Sequence, residues 1–245
     1  GIGGNRRDPS GPSDPEVCVM AVQDLSGLWR ACIVGYALHP TVLHEDNTLV
    51  SADYPGSTRK YLSRKMPGMN VLFLQGASGN QSTRYFRNSQ TFEEAERIGA
   101  QIGREAKTVI DSLKLQNSAK IFVNSTELDI SIREFPSLEE ATKAVEEAKE
   151  IYEKLKESRA PYIDIQNANL KLLGAEDILG YVQMLENGKK IDILEDEIPA
   201  ELTVIGIGDA RIACVPGEIF VEFGLDIKEK SPYKNTFVVE LANGC

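Results

Sequence analysis

The sequence predicts an α/β fold in which mixed β-sheets are flanked by helices. Short apolar strand runs alternate with long amphipathic helical patterns, capping signals separate them, and tight hairpin turns occur beside long crossover connections. A chain of 245 residues with 42% hydrophobic residues can bury a core of this kind.

The first fifteen residues, rich in Gly, Pro, Asp and Arg, read as loop. Glu16 to Gln23 alternates weakly, and Asp24-Leu25-Ser26-Gly27 turns the chain into an apolar strand, Leu28 to Leu38; together they predict a β-hairpin. A short helix, Ser57 to Lys65, follows Tyr54-Pro55-Gly56. Asn70 to Gln75 is a compact buried strand that runs into the small-residue loop Gly76 to Ser82. Thr91 and Glu94 form a capping box for a helix of about six turns ending near Leu113, with Phe92, Ala95, Ile98, Ile102, Val109 and Leu113 as its apolar stripe.

Ile121 to Val123 reads as a strand, as does the alternation of Leu128, Ile130 and Ile132. Ser137 with Glu140 is a second capping box, and the charged helix to about Ser158 reads as a solvated surface helix rather than a coiled coil. Pro161 interrupts before a further helix, Ile163 to Glu186, closed by Asn187-Gly188. Strands Glu201 to Ile207 and Arg211 to Val215 flank a tight Gly208-Asp209 turn. Pro216-Gly217-Glu218, a short helix from Ile219 to Lys228 and a last strand, Thr236 to Leu241, complete the order.

The formal net charge of −10 and a pI near 4.9 oppose non-specific nucleic-acid binding. No apolar run approaches the roughly 20 residues that span a bilayer. Cys18, Cys32, Cys214 and Cys245 lack CxxC spacing, which argues against a structural zinc cluster, and the first three lie in apolar strand runs where small buried residues belong. Asn80-Gln81-Ser82 and Asn124-Ser125-Thr126 match the glycosylation pattern, a short and weakly specific one. The chain opens on Gly1 without an initiator methionine and stops at Cys245 directly after a strand, so we expect an internal piece of a longer protein.

His39, one of only two histidines, sits at a strand end just before Pro40, where a ring nitrogen can point into a cleft or simply serve the fold. The Gly76–Ser82 loop and Glu218 also follow strands, and α/β sheets bind ligands at strand ends. His39 and Glu218 are competent zinc ligands, with His44, Asp46 and Asp53 as further candidates. Gly76-Ala77-Ser78-Gly79 lacks the Lys-Ser/Thr of a phosphate loop. Its glycines would let backbone N–H groups approach a ligand, with Ser78 and Ser82 as candidate hydroxyls; an ordinary turn is the alternative. Glu218 fits equally as a cap for the helix that follows it. Arg6 and Arg7 fit either solvated charges or a clamp on a polar head group.

Asn5-Arg6-Arg7, Asp14-Pro15-Glu16-Val17, His39-Pro40-Thr41, Ser51-Ala52-Asp53-Tyr54-Pro55-Gly56, Phe73 to Ser82 and Val215-Pro216-Gly217-Glu218 occur in that order. This ordered set resembles the catalytic domain of the neutral/alkaline (non-lysosomal) ceramidase family. The resemblance spans most of residues 1–245, and the segment from about 137 to 190, which carries least of it, reads as an insertion.

The resemblance implies a zinc amidohydrolase that cleaves the N-acyl bond of a ceramide-like lipid to sphingosine and a fatty acid. It implies that His39 and Glu218 are zinc ligands, that Ser82 is the required serine, as nucleophile or oxyanion stabiliser, and that Arg6 lies near the substrate's polar end. Gly79 and Asn80 belong to the same substrate-facing loop, and Asp53 would orient the histidine. The other two zinc ligands, a histidine and a tyrosine, are expected outside this chain.

Asn80 and Thr83 depart from the family's Asp and Pro, and Arg7 replaces its serine. These departures leave open a different soluble amide or ester as substrate, or a binding module that kept the fold. The expected partners are a lipid or small-molecule amide. Secreted, periplasmic or membrane-peripheral placement is implied by the family, with the cytoplasm open.

Overall fold

The computed structural model describes residues 2–43, 47–131, 133–189 and 199–244. His44, Asp46, Ile132 and Cys245 lie outside the described residues. The chain forms two compact units, one of residues 1–127 with 201–245 and one of residues 128–200.

The larger unit is a mixed α/β body. Strand β1 (Gly4–Asn5) pairs antiparallel with β5 (Gln81–Ser82). The predicted hairpin is present as β2 (Cys18–Gln23) and β3 (Trp29–Tyr36), and β3 pairs parallel with β4 (Asn70–Gln75). Between β3 and β4 lies helix α1 (Asp53–Lys65), and after β5 comes α2 (Phe92–Ser112). A second sheet has the order β6 (Ile121–Leu128), β7 (Ala200–Ile207), β8 (Ala210–Cys214), β9 (Asn235–Val239). Strands β8 and β9 are parallel and are joined through a helix, Val221–Lys230.

The architecture therefore repeats one device. Two parallel strand pairs, β3/β4 and β8/β9, are each closed by a helical crossover, as parallel pairing requires. Ile212, Phe237 and Val239 of one sheet pack on Cys18, Met20, Ile33 and Leu74 of the other. The opposite side of the first sheet is covered by α1 and α2 through Leu62, Ile98, Ile102, Ala106 and Ile110, all buried. Backbone bonds join the two sheets at one end: the Glu240 N–H donates to Gln75 O at 3.0 Å.

Several boundaries differ from the sequence reading for local reasons. Helix α1 starts at Asp53 rather than Ser57, because Pro55 falls in the first turn, where a missing N–H costs nothing. Thr91 caps α2 by accepting the Glu94 N–H at 3.3 Å. Glu94 does not close the predicted box; its carboxylate accepts from the Asn88 N–H at 2.8 Å and pairs with Arg97 at 2.6 Å. The strand from Ile121 is continuous to Leu128, and residues 129–131 lie beyond it.

In the smaller unit, the two helices are α3 (Leu138–Glu157) and α4 (Tyr162–Glu186). The Ser137–Glu140 capping box is complete, with the Ser137 N–H donating to Glu140 Oε2 at 2.9 Å. Helix α4 returns along α3 after a short turn, burying Ala141, Ala168, Leu172 and Val182. Of the α3 residues only Ala141 is fully buried; Val145, Ala148, Tyr152 and Leu155 on the same face are half-buried and the others exposed. The crossover helix between β8 and β9 is α5 (Val221–Lys230).

Two measurements check this packing. A Cβ on Gly99 would lie 2.5 Å from Tyr54 O and from Ser57 Cβ on α1, so Gly99→Ala is expected to lower unfolding stability in urea by about 1–3 kcal/mol, a typical cost of overpacking. Arg97 holds the Glu94 carboxyl down from 4.5 to about 2. A depressed folded pKa means the stabilisation is present above 4.5 and lost as pH falls towards about 2. Glu94→Gln should therefore be less stable than wild type at neutral pH, with the gap closing over that acid range.

Candidate functional site at four strand ends

The C-terminal ends of the four parallel strands each deliver one polar side chain. His39 follows β3, Ser78 follows β4, Glu218 follows β8 and Glu240 follows β9. Ser78 and Glu240 are buried, at 0% and 2% exposure. Glu218 is half exposed and His39 largely covered.

His39 is gripped from both sides. Its Nδ1 lies 2.8 Å from Ser78 Oγ, and its Nε2 lies 3.4 Å from Glu218 Oε1. The Leu38 carbonyl just before it accepts from Tyr54 Oη and, at 2.9 Å, from Gln75 Nε2. Burial pushes the imidazole below its ordinary pKa and Arg6 adds to this, while the Glu218 carboxylate pulls the other way.

The hydrogen bonds around Ser78 fix the ring's tautomer. Glu240 accepts from Ser78 Oγ at 2.5 Å and from Ser78 N–H at 2.9 Å, and from the Ile219 N–H, as an ionised carboxylate does. Burial raises the Glu240 carboxyl, and these donors oppose the rise. The single Ser78 proton is thus spent on Glu240. Gln75 Nε2, a pure donor, takes one Ser78 lone pair at 2.9 Å. The remaining lone pair faces His39 Nδ1, which must carry the proton. The bare Nε2 is left facing Glu218, the form a metal ligand requires.

Gly79 sets the position of Glu218. Its N–H donates to Ile219 O at 2.9 Å, and a Cβ there would lie 2.4 Å from Glu218 O. Only glycine lets the 216–219 segment cross the β4 loop this closely. Glu218 is not a helix cap, because α5 begins at Val221 with Phe220 in the capping position.

Asn80 completes the crossing. Its Oδ1 accepts from the Val221 N–H at 3.0 Å, and its Nδ2 donates to Glu222 Oε2 at 2.7 Å. A buried amide so engaged is a brace between loop and helix. Buried as it is, this asparagine is a poor glycan acceptor.

The other residues read from the sequence fall around this centre. Asp53 does not bond the imidazole: its carboxylate accepts from Leu43 N–H at 2.9 Å and from Tyr54 N–H at 2.7 Å. It fastens the loop after His39 to α1, at a φ of 47° that Asp tolerates better than most residues. Ser82 is buried on β5, and its Oγ accepts the Arg84 N–H at 3.1 Å.

Three N–H groups of the loop that could face an oxyanion are consumed internally. Ser78 N–H goes to Glu240, Gly79 N–H to Ile219 O and Gln81 N–H to Ser78 O. Arg6 follows β1, with its N–H on Asn80 O at 2.8 Å, and its buried Nε has no hydrogen-bond partner. Its guanidinium is near enough to Glu218 and His39 to interact with both. Cys32 is buried and Cys18 and Cys214 are partly covered, all three as free thiols.

Glu240 and Gln75 were missed from the sequence. Glu240 lies 162 positions from Ser78 and reads locally as the polar end of a strand. The one available hint was a carboxylate following an unbroken apolar run, the position His39 holds after β3.

The fold has known counterparts. The crystal structure of neutral ceramidase from Pseudomonas aeruginosa matches with a TM-score of 0.60 at 15% identity, covering 99% of this chain and 44% of that one. A structure of ceramidase complexed with C2 matches with a TM-score of 0.60 at 15% identity, covering 99% of this chain and 45% of that chain. The chain therefore has a ceramidase-like fold and spans less than half the length of these proteins. No known family profile and no curated protein matches the sequence. No helix among the described residues is long and apolar enough to cross a membrane.

The tautomer assignment can be checked directly. In metal-free protein, nitrogen-15 NMR is expected to report His39 as the Nδ1–H form, and Ser78→Ala should release it to a mixture in which Nε2–H dominates. A wild-type ring already in the Nε2–H form would contradict the assignment.

Proposed function

We propose that this chain carries part of the active site of a zinc-dependent amidohydrolase that cleaves the N-acyl bond of a ceramide-like amide. The observation that carries the reading is the 3.4 Å approach of His39 Nε2 to Glu218 Oε1, with the ring's other nitrogen held by Ser78. Two ligands about 2.1 Å from a tetrahedral zinc stand roughly 3.4 Å apart, so the pair fits one ion. Among the described residues no group of three His, Cys, Asp or Glu side chains converges on one point. Further ligands would come from outside the described residues.

When bound, zinc would polarise the amide carbonyl and bring the pKa of its water towards about 7. The chain's own groups prepare for this. Burial keeps the imidazole uncharged at neutral pH, and Ser78 with Glu240 keeps its proton on the far nitrogen. Glu218 adds a negative oxygen donor, and Gly79 holds it at the required distance. Ser82 Oγ bonds no imidazole or carboxylate among its described partners. It therefore suits donation to an oxyanion better than attack, which needs a base.

The test uses the intact protein loaded with zinc and assayed on N-lauroyl sphingosine and on short N-acyl amides. Removing a metal ligand in His39→Ala or Glu218→Ala should lower kcat/KM by more than about 100-fold. Ser78→Ala should weaken zinc binding by about 10–100-fold, as loss of a ligand's supporting hydrogen bond does. Gly79→Ala should behave like Glu218→Ala while keeping the wild-type circular dichroism. Intact protein that neither retains zinc nor hydrolyses any of these amides would overturn the proposal in favour of a binding module.

A further inference from the structure

We infer that Phe220, Phe223 and Leu241 form an apolar rim that docks the Glu218 side of the candidate site onto a zwitterionic lipid surface. This inference rests on the amidohydrolase reading, whose ceramide-like substrate resides in lipid, and adds the surface from which that substrate is taken.

The rim comes from two segments that flank Glu218. Phe220 is the N-cap of α5, two positions after Glu218, and Phe223 follows in the first turn, its N–H donating to Phe220 O at 3.0 Å. Leu241 comes directly after Glu240, and its N–H donates to Gly217 O at 3.1 Å. The side chains of Phe220, Phe223 and Leu241 are 45%, 62% and 44% exposed. The Glu218 side chain beside them is half exposed as well.

Single exposed apolar side chains are ordinary on a protein surface. These three differ because two of them break a local rule of folding. Helix N-caps favour Ser, Thr, Asp or Asn, whose side chain accepts an orphan N–H, and Phe220 supplies no such bond. Leu241 holds a φ of 55°, a left-handed backbone that a bulky side chain adopts only at a cost. Neither residue offsets its cost by full burial. Folds keep such departures at functional sites.

Charge decides what the rim meets. The chain has a formal net charge of −10, and along α5 and its approach Glu218, Glu222, Asp226 and Glu229 outnumber Lys228 and Lys230. An anionic membrane would repel this face, and a second copy would set the same carboxylates against one another. A zwitterionic surface has no net charge and takes Phe and Leu side chains into its headgroup boundary.

The test mixes the intact zinc-loaded protein with sucrose-loaded phosphatidylcholine vesicles, with and without added phosphatidylserine, and sediments them. Partition into phosphatidylcholine is expected, and it should weaken when phosphatidylserine is added. Phe223→Ser should lower the partition coefficient roughly fivefold or more. Phe220→Ser and Leu241→Gly should each lower it severalfold with a melting temperature unchanged or raised, because each restores the local rule. Lowered melting temperatures with unchanged partition would show that the side chains serve the fold, and would overturn the inference. Phe223→Ser should also hydrolyse a short soluble N-acyl amide like wild type, while its release of sphingosine from vesicle-borne N-lauroyl sphingosine falls with partition. Wild-type protein that stays in solution overturns the inference, as does dimerisation, in place of partition, that Phe223→Ser abolishes. Soluble-amide hydrolysis without partition fells the rim and leaves the amidohydrolase reading standing, whereas partition without hydrolysis of any amide does the reverse.

Discussion

A buried carboxylate at the end of the last strand organises the site. Glu240 receives the Ser78 hydroxyl and N–H from the other sheet and the Ile219 N–H from the segment that carries Glu218. Its charge, taken out of water, is tolerable because three donors converge on it. Removing it would leave Ser78 free to rotate and would loosen both His39 and the β8 loop. The paired sheets, held by Phe237 and Ile212 against Ile33 and Leu74, exist in this account to bring four strand ends to one place.

The consequences run outward from that junction. Ser78 is occupied on all its hydrogen-bonding positions and so becomes a brace for the imidazole. Gly79 gives up any side chain so that two loops can cross, and the crossing sets the distance between an imidazole and a carboxylate that are far apart in the sequence. At the other border Lys228 of α5 ties down the N-terminal segment through Asp14 and Glu16, at 2.6 and 2.7 Å. That tie anchors the stretch leading from Arg6 to β2. Rigid placement of this sort is what a site needs if charge is to be stabilised without reorganisation.

Much of this was legible in the residues. Capping serines and threonines, the NVLFLQ run and the Gly208 turn marked elements within a few positions, because these signals are local. His39 and Glu218 were legible as strand-end polar groups. Asp53 and the Gly76–Ser82 loop were legible as important but not in their roles. Asp53 was read as reaching the imidazole and instead bonds backbone N–H groups, since the curl of residues 40–43 is not written in any pattern. Gly79 was read as making room for a ligand, and the room is taken by the chain's own Glu218 carbonyl. Glu240 was invisible because its significance lies in contacts made across the sheets, and no periodicity reports those.

The central claim is that His39 and Glu218 share one cation. Crystals of the intact protein grown with zinc and measured above and below the zinc absorption edge test it most directly. An anomalous peak about 2.0–2.2 Å from both His39 Nε2 and Glu218 Oε1 is the expected result. A peak that touches neither atom, with the imidazole and carboxylate hydrogen-bonded to each other instead, would contradict the account.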